Sequence, residues 1–120
     1  MEIREKICKK LNIKPVSVNA AFQGRRFKTP LYKDFEEQML WALKGNTQKM
    51  TGNYTMHLKF YLKNASRADL SNFVKTTEDC IVKAGLVKDD RYCWQMVVEK
   101  FKSKEDYIEF EIKELEGIIK

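Results

Sequence analysis

The segment "DLSNFVKTTEDCIVKAGLVKDD" gathers the residue types that can work on a phosphodiester: Asp69, Ser71, Asn72, Lys75, Asp79, Asp89 and Asp90. Carboxylates held near a lysine and an asparagine can bind hard divalent cations and orient a phosphate against them. These acids stand in a chain of opposite overall sign, with 23 Lys and Arg against 17 Asp and Glu and a net charge of +6. That surplus favours a polyanionic partner without proving one. A purely local reading competes. Asp69 or Ser71 can cap a helix by accepting its free N–H groups, and Asp89-Asp90 can be an ordinary acidic turn.

Other chemistries have little to build on. His57 is the only histidine, which leaves zinc centres and Ser–His catalysis without their best candidate. A lone strand histidine is ordinarily a surface or satisfied residue. Cys8, Cys80 and Cys93 are odd in number and lack metal-ligand spacing, so they read as reduced, mostly packed thiols of a cytoplasmic protein. No apolar run approaches the roughly 18 residues of a membrane span. The opening "MEIREKICKK" has no apolar stretch of the kind that directs secretion. With 120 residues, 43% hydrophobic and 33% charged, the chain is expected to form one globular domain over 1–120.

The elements that must position the acids can be traced by periodicity. Ile3, Ile7 and Leu11 allow a short amphipathic helix or a strand. The stretch "NIKPVSVNAAFQGRRFKT" reads as irregular chain. Thr29-Pro30 is a helix start, followed by a stripe of Leu31, Phe35, Met39 and Leu43 and closed by Gly45. "TMHLKFYL" alternates, with Met56, Leu58, Phe60 and Leu62 inward. Phe73, Thr77, Ile81 and Ala84 mark a second helix ending at Gly85. "CWQMVVEKF" and "DYIEFEIKE" read as strands joined in an antiparallel hairpin through Ser103-Lys104-Glu105, with Ile108, Phe110 and Ile112 toward the core. The expectation is an α+β domain: two main helices on a small, mostly antiparallel sheet.

Taken together, Asp69, Asn72, Lys75, Asp79, Gly85, Asp89 and Asp90 resemble, in order and spacing, the signature of the RusA-type Holliday junction resolvases. The segment "PVSVNAAFQGRRFKT" is similar to that family's N-terminal motif and basic stretch. The similarity runs from about Pro15 to the C-terminal strands. It implies a homodimeric endodeoxyribonuclease of recombination and repair that cuts four-way DNA junctions symmetrically. Mg²⁺ or Mn²⁺ is the implied cofactor, with no small-molecule cofactor and no membrane partner.

By the same resemblance the catalytic positions fall on Asp69, Ser71, Asp90 and Lys75, and the metal positions on Asp69, Asp90 and Asp89. Asp89 either supports Asp90 or is a solvated turn residue. Ser71 stands where the family has its middle carboxylate, so one negative charge is missing, and a junction-binding homologue with weakened or lost cleavage is the alternative. A basic module for RNA or protein is a third reading. DNA contacts are expected from Arg25, Arg26, Lys28, Arg67, Asn72 and Lys75. Phe27 is expected in the core, although Phe27 or Tyr32 could instead wedge or stack at an opened junction.

A straight helix over 70–84 would be about 22 Å long at about 1.5 Å per residue. Residues 85–89 span at most about 17 Å. That arithmetic predicts an Asp90 that pairs with Asp69 of a partner chain rather than of its own.

Overall fold

The computed structural model describes residues 3–24, 27–45 and 49–115. The first strand, β1 (Ile3–Leu11), leads into a four-residue helix, α1 (Val18–Ala21), and two short strands, β2 (Phe22–Gln23) and β3 (Phe27–Lys28). A long helix, α2 (Pro30–Leu43), precedes the central strand β4 (Tyr54–Leu62). Then follow α3 (Ser71–Lys83), β5 (Cys93–Lys102) and β6 (Tyr107–Leu115). The large sheet has the order β1-β6-β4-β5; β2 and β3 form a separate antiparallel pair. The fold is therefore α+β with a mostly antiparallel sheet. Among the described residues no helix is long and apolar enough to cross a membrane.

The alternation of β4 is complete: every second residue from Tyr54 to Leu62 is buried and those between are half-buried. β6 alternates likewise from Tyr107 to Glu114, with Ile108, Phe110 and Ile112 inward, and ends on a second buried residue, Leu115. One face of the sheet thus meets the helices, and the other carries His57, Lys59, Glu109 and Glu111. His57 is satisfied there by Glu99. The leading segment is a strand, with Ile7 and Leu11 buried. A spacing of four residues returns to the same side in either period, so it could not separate strand from helix.

Three expectations need correction. The strands β5 and β6 do not form a hairpin. β6 pairs antiparallel with β1 and β4, and β5 pairs parallel with the other edge of β4. The link between them crosses the end of β4, where the Ser103 N–H donates to the Leu62 carbonyl at 3.0 Å and the Lys63 N–H to Asp106 at 2.8 Å. The stretch read as irregular contains α1, β2 and β3. Ser17 caps α1 by accepting the Ala20 N–H at 3.2 Å, and Gly24 (φ 73°) turns the small hairpin. The thiols are less uniformly packed than expected: Cys80 is buried, Cys93 intermediate and Cys8 exposed.

Helix α2 begins as expected, Thr29 accepting the Tyr32 N–H at 3.2 Å ahead of Pro30. Its buried stripe is Tyr32, Phe35, Met39 and Leu43, whereas Leu31 is 54% exposed. Both Leu31 and Tyr32 satisfy helical spacing to Phe35, and the ring of Tyr32 stacks on Phe35 with centroids 6.2 Å apart. Tyr32→Ala should therefore cost about 3 kcal/mol by opening a core cavity, while Leu31→Ala stays within about 0.5 kcal/mol. Urea unfolding of the two variants, at unchanged m-value, measures the difference.

Candidate active site

Helix α3 lies between two strands that run parallel, so the acids at its two ends enter from opposite ends of the sheet. On one side, Lys100, which pairs with Phe60, donates to the Ala68 carbonyl at 2.8 Å and fixes the turn before Asp69. On the other, Asp90 opens a 3₁₀ turn, Asp90–Tyr92, that runs directly into Cys93, the register partner of Tyr54. The six steps from Tyr54 to Phe60 correspond to about 20 Å of strand.

The side chain that ties the helix to the second of these ends is Lys75. Its ammonium lies 2.9 Å from Asp79 Oδ1 and 3.3 Å from Asp90 Oδ2. These carboxylates, Asp79 first, hold the lysine more firmly protonated than a free one. Lys75 stands one helical turn from Ser71 on the same face. Asp90 thus returns to the first half of α3 in its own chain. Asp90 meets Lys75 of its own chain because the chain after Gly85 (φ 84°) folds back along the helix, with the Met50 N–H bound to the Leu86 carbonyl at 2.7 Å, while no contact between Asp90 and Asp69 of the same chain occurs among the described residues.

Neither Asp69 nor Ser71 acts as the expected side-chain cap. The helix starts on Leu70, which makes no side-chain cap bond, and the Asn72 N–H goes to the Asp69 carbonyl at 3.0 Å. The Ser71 hydroxyl instead donates to the Asp69 carboxylate at 3.0 Å. Asp69 and Ser71 are exposed and Asn72 is half-buried. Asp89 accepts the Arg91 N–H at 3.0 Å, which holds its carboxyl below the usual range. It caps the turn that carries Asp90, so its place is structural support for that residue.

Of the positions expected to meet DNA, Arg67 is exposed beside the 68–69 turn. Lys28 is held by Glu36 at 3.0 Å, so a phosphate would have to compete for it. Arg25 and Arg26 lie outside the described residues. Phe27 is not in the core: it is 75% exposed on β3, while Tyr32, the other aromatic considered for stacking, is buried.

With this geometry in view, the family comparison is direct. The family model for endodeoxyribonuclease RusA matches residues 12–113. The chain belongs to the RusA family. That family comprises endonucleases that resolve Holliday junctions, binds branched DNA, and is of a kind that generally uses a divalent metal. No curated protein matches the chain.

Whether these residues suit such a metal can be judged from the donor set. Asp69 and Asp90 are hard oxygen donors, and Ser71 adds a neutral hydroxyl. No group of three or more His, Cys, Asp or Glu side chains converges among the described residues. Mg²⁺ characteristically takes one or two carboxylates together with substrate phosphate oxygens. The set therefore fits an ion completed by DNA, not one held by the protein alone.

One residue outside the sequence signature stands out in the structure. Glu78 lies too far along the helix to replace Ser71 directly, yet it is buried at 9% exposure, one turn from Lys75. Burial, then the nearby charge of Asp90, pushes its carboxyl upward against the opposing pull of Lys75. The charged form is thus disfavoured in the folded state, and stability falls as pH rises from about 4.5 through the raised folded value. Glu78→Gln should melt higher than the parent at pH 7, on the order of a few °C. The advantage should vanish near pH 4, where the glutamate is protonated in both states; equal melting at both pH values would contradict the assignment.

Proposed function

We propose that this chain is a structure-selective endodeoxyribonuclease that cuts four-way DNA junctions with the help of Mg²⁺ or Mn²⁺. It would act in the cytoplasm, as one domain over 1–120, and as a two-fold homodimer. The observation that carries the reading is the Lys75 bridge, which draws Asp90 onto the helix face that starts at Asp69 and Ser71. Two acids from different elements, Asp79 and Asp90, share that lysine on the helix whose first residue, Ser71, bonds to Asp69.

The residues divide the work by type. Asp69 and Asp90 would hold the cation, with Asp89 setting the turn that carries Asp90. When bound, the cation would lower the pKa of a water and offset charge on the departing oxygen. Lys75 would move from its carboxylates toward the phosphate and balance the charge developing there. Ser71 keeps Asp69 oriented through its hydroxyl, and Asn72 is placed to orient a carboxylate or phosphate. Arg25, Arg26 and Arg67 would bind the DNA backbone without reading sequence, with Lys28 joining them on release from Glu36. Phe27, exposed at the hairpin, suits stacking at an opened junction.

The second reading, a junction-binding homologue with weakened cleavage, draws on Ser71 and on the absence of a converged three-donor group among the described residues. A cleavage assay on a plasmid-borne four-way junction, with and without Mg²⁺ or Mn²⁺, separates the two. Ser71→Asp restores a negative charge beside Asp69 and should raise metal-dependent cleavage roughly tenfold or more. Normal junction binding with no faster cleavage would remove Ser71 from the site.

If the Asp90 that Lys75 holds works with Asp69 of the same chain, each site is self-contained. A mixture of Asp69→Asn and Asp90→Asn chains then leaves every site damaged. No nicking is expected from the heterodimer, and recovered nicking of one strand would instead mean sites shared between protomers.

A further inference from the structure

A cavity opens at the end of the sheet where β4 closes, beside the turn that leads to Asp69. Its volume is about 370 Å³, within the roughly 300–1,000 Å³ of small-ligand sites. The floor is apolar, made by Pro15 and Val16 after β1, Leu62 at the end of β4 and Phe73 on α3. Leu31, exposed at the start of α2, adds a side wall. Arg67 and Ala68, the two residues before Asp69, form the lining nearest the candidate active site.

This lining is held in place before any ligand arrives. The Thr76 hydroxyl donates to the Val16 carbonyl at 2.6 Å, and the Phe73 ring packs on Phe60 with centroids 5.5 Å apart. The Lys100 ammonium donates to the Ala68 carbonyl at 2.8 Å. The polar groups of the lining decide what can enter. Asp106 sets a carboxylate there, fixed by the Lys63 N–H at 2.8 Å, and a carboxylate repels a phosphate. Cations stand at the mouth instead. Lys14 approaches Asp106 at 3.9 Å with a side chain 79% exposed, and Arg67 is exposed without an ion pair among the described residues. Asn64 makes no side-chain bond to the 3₁₀ turn it precedes, so its amide is free to pair with a polar edge. An apolar slot that repels phosphate, with cations at its mouth, suits a nucleotide that enters base first and leaves its backbone outside.

We propose that this cavity receives one unstacked base of the junction strand whose phosphate lies at Asp69, while Arg67 and Lys14 hold the flanking backbone. Ala68 adjoins Asp69, and consecutive Cα atoms are about 3.8 Å apart. The base therefore belongs to a nucleotide at or next to that phosphate. Taking a base out of an intact duplex is costly, and least so for one already unpaired. A site that rewards an unstacked base thus favours an opened junction over plain duplex, and selectivity for branched DNA enters through the base while the acids act on the backbone. This rests on the reading of the chain as a junction nuclease, and it names the part of the junction that the chain grips.

The test is the affinity of the full chain for four-way junctions, measured by gel shift without divalent metal so that nothing is cut. Junctions are compared intact and with one base at a time removed beside the crossover. Leu31→Ala should bind the intact junction roughly 5- to 10-fold more weakly than the parent. Ala20→Trp, which puts an indole into the lining, should lose at least as much. At one position the abasic junction should erase both differences, because no base is left to use the cavity. A 2-aminopurine at that position should brighten several-fold on binding to the parent, and less on binding to Ala20→Trp. Variants that bind the intact junction as the parent does, or a deficit that persists on every abasic junction, overturn the proposal. Should Ala20→Trp melt lower than the parent, Leu31→Ala decides alone, because Leu31 lies outside the buried stripe of α2. The two readings fail separately. A chain with this base dependence that leaves junctions uncut in Mg²⁺ or Mn²⁺ sinks only the nuclease. Metal-dependent cutting without the base dependence sinks only the pocket.

Discussion

Parallel pairing of β4 with β5 is the constraint on which the rest depends. Two parallel neighbours cannot be joined by a tight turn; the chain must travel back along the sheet before the second strand can begin. Here that return is made by α3, which therefore has one end near the close of β4 and the other near the start of β5. The acids before and after the helix are separated by the length of the crossover. Lys75 ties the second of them to the helix, because it sits one turn inside and is long enough to meet the 3₁₀ turn that opens β5.

The same helix must also cover the core, and this dual duty explains its composition. Cys80 and Ile81 are fully buried, and the Thr76 hydroxyl donates to the Val16 carbonyl at 2.6 Å, tying α3 to the segment after β1. Between these anchored residues, Lys75 and Asp79 fall on the outer side as an i, i+4 pair. Glu78 falls at the boundary between the two faces. An acid at that boundary is costly to keep charged, and nothing in the core gains from it.

Legibility in the sequence followed physical range. Alternation in β4 and β6, the Thr29-Pro30 start of α2 and the glycine ends at Gly45 and Gly85 are local effects, readable from neighbours in the chain. The partner of β5 was not, because a short link such as 103–106 states which strands are close in sequence and not which strand lies between them. Leu31 and Tyr32 satisfy the same helical spacing, and only the neighbouring ring of Phe35 distinguishes them. The site's residue types and order were legible through the family signature. The contact of Asp90 with Lys75 was not, because an end-to-end length for α3 leaves out the reach of a lysine side chain.

The strength of the bridging contacts suits a site completed by DNA. The side chains of Lys75, Asp79 and Asp90 are 59%, 42% and 41% exposed. Ion pairs at that exposure are worth on the order of 0–1 kcal/mol, since water screens them and ordering long side chains costs entropy. Lys75 can therefore exchange a carboxylate for a phosphate oxygen at little expense, and each exchange frees a carboxylate for a cation. In the proposed reaction protein and DNA charge would be neutralised together: the lysine would go to the phosphate and leave Asp90 free for a cation. A converged cluster of acids would need its cation before DNA arrived, whereas an acid held by a weakly bound lysine would not.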